Sequence, residues 1–176
     1  MRRVTVLLLA VLIGVVGAAC DPQLSRKASG TFAGSTLWRF SALGCSLVYQ
    51  EFEGTWVRRE GAPGGTFRLT GCVTEPSQNS FAYEGTFLMV TQGGAELRGT
   101  VTSRFEESPC PAPLDHVLTL TSGTKRYSGA TGTIFVDGVW DCTQTLPFMA
   151  PDPYDGTITA VIESDVRTAT GARMQL

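Results

Sequence analysis

The sequence predicts an all-β fold: an eight-stranded antiparallel up-and-down barrel, stapled by disulfides at one end. Three observations predict it. The 176 residues are 43% hydrophobic and only 17% charged, with 20 glycines and abundant Thr, a composition that suits strands and turns rather than long amphipathic helices. Short runs rich in Thr, Val and aromatic residues recur eight times, cut by Gly and Pro, and none carries sustained helical periodicity. Four cysteines fall at or beside links that would share one end of such a fold. The hydrophobic fraction excludes disorder, and the length allows one domain of ordinary size, or two very small ones at most.

The first twenty residues read as an address. Arg2 and Arg3 precede an apolar run, residues 4–16, followed by Gly17, Ala18, Ala19 and Cys20. This is the layout of a secretory signal, and the run is short for a permanent membrane span. Small residues directly before a Cys resemble the lipobox of bacterial lipoproteins, in which the Cys is acylated and becomes the first mature residue; Gly17 departs from the usual Leu. The alternative is ordinary cleavage after Ala19 and plain secretion. Cysteine parity fits the lipid reading, since Cys20 takes up the odd thiol and leaves Cys45, Cys72, Cys110 and Cys142. The expected organisation is a signal peptide at 1–19, a lipidated N-terminus and tether at 20–34, a barrel at 35–166 and a tail at 167–176. Loss of the leader takes the formal charge from −2 to −4 and leaves no basic stripe, so nucleic acid is not an expected partner.

The eight expected strands are 35–42, 47–58, 66–73, 81–91, 95–105, 116–121, 131–140 and 156–166. The clearest runs from Glu96 to Phe105. One parity reads Leu, Gly, Val, Ser, Phe and the other Glu, Arg, Thr, Thr, Arg, the signature of a strand with one wet face. Gln92-Gly93-Gly94 before it signals a tight hairpin.

If each strand is antiparallel to the next, the links divide between two ends. Residues 59–65, 92–94 and 122–130 form one. Residues 43–46, 74–80, 106–115 and 141–155 form the other, and all four remaining cysteines sit there. Two disulfides are expected in an exported chain, with three pairings open. Local staples across one rim favour Cys45–Cys72 and Cys110–Cys142. Strands one and eight run in opposite senses and can close the sheet, which removes both edges; a two-sheet sandwich is the rival solution. Pro147, Pro151 and Pro153 predict a stiff rim loop over 141–155.

The stretch Gly123-Thr124-Lys125-Arg126-Tyr127-Ser128-Gly129-Ala130-Thr131-Gly132 is similar to the Gly-Thr-x-x-aromatic-x-x-Ala-x-Gly turn of the allene oxide cyclase and dirigent barrels and of bacterial secreted proteins sharing that barrel. The hairpin from Tyr83 to Thr100 resembles the repeat before that turn in the bacterial proteins. Together they cover about residues 81–138. The resemblance implies an eight-stranded up-and-down barrel. Lys125 stands where the family's turn has glycine, and no catalytic residue of the plant cyclases or coupling proteins maps onto this chain, so no activity is implied.

Alternation places Val48, Phe52, Gly54, Trp56, Phe67, Leu69, Phe81, Phe87, Met89, Leu97, Val101, Leu118, Leu120, Ile134, Val136, Ile158 and Ile162 inside. The same parity sends Gln50, Tyr83, Ser103, His116 and Trp140 inward near the cysteine end, where a ligand site on this architecture should open. His116, the only histidine, is the candidate acid or base, with Tyr83 beside it and Asp115 or Asp141 to orient it. The bland reading is that these groups cap and plug the barrel end. Glu51, Glu53 and Glu84 lie on the outward parity and read as a solvated face. One His and paired cysteines leave no zinc set, the spacing of Asp137, Asp141, Asp152 and Asp155 fits no calcium loop, and no cofactor motif appears.

Three functions remain open. The first is an envelope lipoprotein, anchored at the outer face of a bacterial membrane, whose barrel binds a small apolar or aromatic ligand. The second is an isomerase or cyclase working in the lumen through His116 and Tyr83. The third is a structural or protein-binding module with a packed interior. The sequence does not set the oligomeric state.

Overall fold

The computed structural model describes residues 23–40, 44–77, 80–106, 110–144 and 151–165. The expected leader at 1–19, Cys20 and the expected tail at 167–176 lie outside the described residues. Eight strands are present: β1 Gln23–Phe40, β2 Val48–Arg58, β3 Pro63–Ser77, β4 Ser80–Thr91, β5 Glu96–Glu106, β6 Ala112–Gly123, β7 Thr131–Trp140 and β8 Asp152–Asp165. Each pairs antiparallel with the next, and β1 pairs antiparallel with β8 to close the barrel in sequence order. The sandwich is thereby excluded.

The closing strand differs from expectation. Residues 23–34 belong to β1 and are not a tether. β1 lies against β8 from Gln23↔Asp165 to Thr36↔Asp152, and against β2 from Gly30↔Arg58 to Phe40↔Val48. Its first half is rich in Ser, Arg, Lys and Ala, with little intrinsic strand preference. The ladder to β8 supplies the backbone partners that local sequence does not advertise, a tertiary override of propensity. β8 also starts earlier than expected. Asp152, Pro153 and Tyr154 are in the ladder, and the expected rim loop over 141–155 is cut short; a 3-10 turn occupies Cys142–Gln144. Pro153 lacks an N–H, and the ring is tolerated because it stands at the start of β8, where a missing ladder donor costs little; its carbonyl accepts from the Asp141 N–H at 2.9 Å.

The interior follows the alternation. Phe52, Leu69, Phe87, Met89, Leu97, Val101, Leu118, Leu120 and Ile134 are buried, as are Val48, Phe67, Val136 and Ile158, while Trp56, Phe81 and Ile162 pack against them half-buried. Each fully buried large side chain contributes roughly 1.5–3 kcal/mol relative to exposure. The outer wall carries Glu53, Arg68, Arg98, Thr100, Thr102 and Asp115, so the barrel is apolar inside and charged outside, the reverse of a membrane-spanning barrel. No helix among the described residues is long and apolar enough to cross a membrane.

Cys45 bonds Cys72 and Cys110 bonds Cys142, each with Cα atoms 5.3 Å apart. Both bridges lie at the end where β1, β3, β5 and β7 finish. The other end carries the turns after β2, β4 and β6; these two are called the disulfide end and the turn end below. At the turn end Lys125 takes a left-handed conformation, φ 54°, at the position where the resembling turn has glycine. A non-glycine residue there costs on the order of 1 kcal/mol. Its ammonium donates to the Gly93 carbonyl at 2.7 Å, and Thr124 Oγ1 accepts from the Glu96 N–H at 2.9 Å, which ties this turn to the neighbouring hairpin.

Candidate functional site

The disulfide end of the lumen is a layer of polar and aromatic side chains. β2 and β4 bring Gln50 and Tyr83, β5 and β6 bring Ser103 and His116, and all four are buried. β7 brings Trp140, half-buried at the rim. The five residues expected from parity therefore converge on one end. Four more join them that alternation did not single out: Thr36 and Trp38 from β1, and Asp152 and Tyr154 from β8. Trp38 and Trp140 rings lie 4.9 Å apart and cover the layer from the rim. Trp140 Nε1 donates to Asp152 Oδ2 at 3.2 Å.

His116 sits at the centre, 1% exposed. Its ring centroid is 4.8 Å from Phe52, 5.4 Å from Tyr83 and 5.7 Å from Tyr154. Three aromatic walls and no hydrogen-bond partner on either nitrogen strip the imidazole of solvation, and this burial pushes its pKa down to about 3. It is neutral at pH 7. Tyr83 Oη donates to the Gln50 carbonyl at 3.4 Å, and Tyr154 Oη donates to the Leu114 carbonyl at 2.7 Å. Burial pushes both phenols upward, with nearby Tyr49 and Glu51 adding to the effect on Tyr83. Desolvation also raises the Asp152 carboxyl above its ordinary value, against the opposing Trp140 hydrogen bond.

The expected orienting carboxylates do not reach the imidazole. Asp115 neighbours His116 along β6 and so faces the opposite side of the sheet, where its Oδ1 accepts from the Gly138 N–H at 3.1 Å. Asp141 Oδ1 accepts from the Thr143 N–H at 3.1 Å and from its hydroxyl. A neutral imidazole with no carboxylate behind it can donate one hydrogen bond and accept another, and its lowered pKa makes it a weak base near neutrality. Of the carboxylates on the outward parity, Glu51 is buried rather than solvated and is ion-paired with Arg68.

Five buried polar groups at this end or below it leave atoms without a protein partner. At the layer these are both His116 nitrogens, Ser103 Oγ, Gln50 Oε1 and Trp38 Nε1. Gln50 Nε2 is satisfied, donating to Thr36 Oγ1 at 3.1 Å, so the amide is fixed with its oxygen free. Trp56 Nε1, further down the lumen, is also unpaired. Leaving such an atom buried and unsatisfied costs roughly 1–3 kcal/mol, and four of the five groups lie together.

Tyr154 holds its place because Gly138 has no side chain. A Cβ there would stand 2.3 Å from the Tyr154 ring. Gly138→Ala is expected to displace this rigid buried ring and destabilise the protein by about 2 kcal/mol or more, read as a lowered urea midpoint. An unchanged midpoint would show that Tyr154 is not locked against β7. The surface concavities of about 450–650 Å³ lie on the outer wall and at the turn end, lined for example by Thr119, Thr121, Thr133 and Val161, and are remote from His116.

No protein-family model matches the chain, and no curated protein matches it. Seven solved chains match in structure. One is a pterocarpan synthase dirigent protein, similar to this chain with a TM-score of 0.48 and 11% identity, over 82% of this chain and 93% of that one. A likeness of that degree assigns neither a site nor an activity.

Proposed function

We propose that this protein is an exported, lipid-anchored envelope protein whose barrel binds a small, uncharged, largely apolar or aromatic molecule at its disulfide end. The observation that carries the binding reading is the cluster of unpartnered buried atoms: His116 Nδ1 and Nε2, Ser103 Oγ, Gln50 Oε1 and Trp38 Nε1. They offer both donors and acceptors amid Phe52, Tyr83, Tyr154 and Trp140, a few convergent polar groups in an apolar surround. A ligand with one or two hydrogen-bonding groups would satisfy them. A charged ligand would face Asp152, the one inward carboxyl among the described residues, and the same desolvation that keeps His116 neutral.

The two disulfides are compatible with an oxidising compartment. Cys20 as the lipid attachment site supports anchoring through the leader pattern and cysteine parity. A second reading, the packed structural module, is favoured by the near-complete burial of Phe52, Phe87 and Met89. The isomerase reading would require His116 to take up a proton near neutral pH, and its depressed pKa weighs against that.

The test is to incubate the purified mature protein with total envelope lipid extract and record its native mass spectrum. Ligand binding predicts a discrete mass adduct, released on denaturation and weakened at least about tenfold in Ser103→Ala, which removes one partner. A spectrum with no adduct from the whole extract would favour the packed module instead.

A further inference from the structure

The charges of the barrel are divided along its axis. The turn end carries Lys27, Arg58, Arg59, Lys125 and Arg126 against Glu60, Glu96 and Glu163. The disulfide end carries Glu75, Glu106, Asp115, Asp137, Asp141 and Asp152 against Arg39 and Arg104. In a chain of net negative charge, one end is thus basic and the other strongly acidic. The basic groups are also grouped in space. Arg58, Lys125 and Arg126 line one open concavity of about 450 Å³, and the Arg59 N–H donates to the Ser29 carbonyl at 3.0 Å, which binds that turn to the start of β1. Arg126 lies over the Tyr127 ring at 5.0 Å, exposed at the edge of the turn.

Topology adds a second fact. β1 runs toward the disulfide end, so Gln23, its first residue, lies at the turn end. Only Asp21 and Pro22 separate Gln23 from Cys20. The three Cα–Cα steps from Cys20 to Gln23 span at most about 11 Å, so a lipid on Cys20 brings the turn end to within about one Debye length, ~10 Å at 0.1 M salt, of the bilayer. Headgroups of anionic phospholipid attract each nearby Lys or Arg, whereas the acidic end would be repelled.

We propose that the turn end is a docking face for an anionic phospholipid bilayer, held there by the lipid at Cys20, and that the disulfide end with its candidate site points away from the membrane. The proposal rests on the anchor part of the functional reading and not on ligand binding.

The chain has two lysines, Lys27 and Lys125, both exposed and both at the turn end, which supplies a direct readout. Mature protein is coupled through Cys20, its one cysteine outside the disulfides, to a maleimide phospholipid in vesicles of phosphatidylcholine alone or with phosphatidylglycerol. A water-soluble amine acylating reagent is then added, and modification of each lysine is followed by mass spectrometry. Docking predicts that both lysines react about tenfold more slowly on the anionic vesicles, that about 0.5 M salt removes the difference, and that Arg58→Glu/Arg126→Glu removes it too. Arg39→Glu, at the far end, should leave the protection intact. Equal rates on the two vesicle types, or protection that survives salt, overturns the docking face. In cells, absence of palmitate labelling that depends on Cys20 overturns the proposal by way of the anchor, an outcome separate from failure of the surface.

Discussion

Replacing His116 with Phe should abolish a large part of the protein's acid lability. In the unfolded chain the imidazole titrates near 6.5, and in the barrel burial holds it at about 3. Above pH 6.5 both states are neutral and the residue contributes no pH dependence. Between 6.5 and 3 the unfolded state binds a proton that the folded state does not, so stability falls as the pH falls, by roughly 1.4 kcal/mol per pH unit. Below about 3 the slope from this residue ends. The whole window amounts to a loss on the order of 5 kcal/mol. Phe fits the existing aromatic contacts with Phe52, Tyr83 and Tyr154 and has nothing to titrate. The check is the difference in unfolding free energy between the two proteins from urea titrations at pH 7 and pH 4. The variant should gain relative to the native protein as the pH drops. Ser103→Ala, which alters the same layer without removing the imidazole, should keep the native slope. Parallel curves for native protein and His116→Phe would mean that the imidazole is hydrated and protonates freely.

The second large effect is the loss of the rim bridges. The pairs are separated by 27 and 32 residues, so each restricts a long stretch of the unfolded chain and contributes about 3 kcal/mol in the chain-entropy view. Together they approach the whole stability of an ordinary domain, about 5–15 kcal/mol. Cys45→Ser/Cys72→Ser and Cys110→Ser/Cys142→Ser should each lower the unfolding free energy by about 3 kcal/mol, and full reduction should bring unfolding close to working temperature. Equal unfolding midpoints with and without reductant would show that the rim holds without its staples.

The barrel was legible because alternation is strict where one face is wet. β7 occupies the expected 131–140, and the inward apolar residues read from parity, Gly54 apart, pack in or against the core. Sorting the links by end put all four cysteines on one rim, and the preference for local staples there favoured the two bridges found. The first half of β1 was not legible, since its strand character comes from the ladder to β8. Tyr154 was missed for a related reason: Pro151 and Pro153 mark a loop locally, yet Pro153 is accommodated because it stands at the very start of β8. The inward placement of Gln50, Tyr83, Ser103, His116 and Trp140 at one end was readable because polar and amphipathic groups on an apolar parity stand out. The orienting role expected of Asp115 contradicted that same parity, which turns residue 115 outward whenever 116 faces in. Which buried atoms stay unpartnered depends on side-chain geometry across four strands, and no spacing encodes it. The axial division of charge was present in the sequence but became visible only once the closing strand fixed which end holds the N-terminus.

The most direct measurement is a crystal structure, at a resolution that shows ordered water, of the mature protein purified from the cell that makes it. Ligand binding predicts non-protein density at the disulfide end, within hydrogen-bonding distance of a His116 nitrogen and of Ser103 Oγ or Gln50 Oε1, beneath the Trp38 and Trp140 rings. A layer filled by water alone, or closed by direct bonds among His116, Ser103 and Gln50, would contradict it.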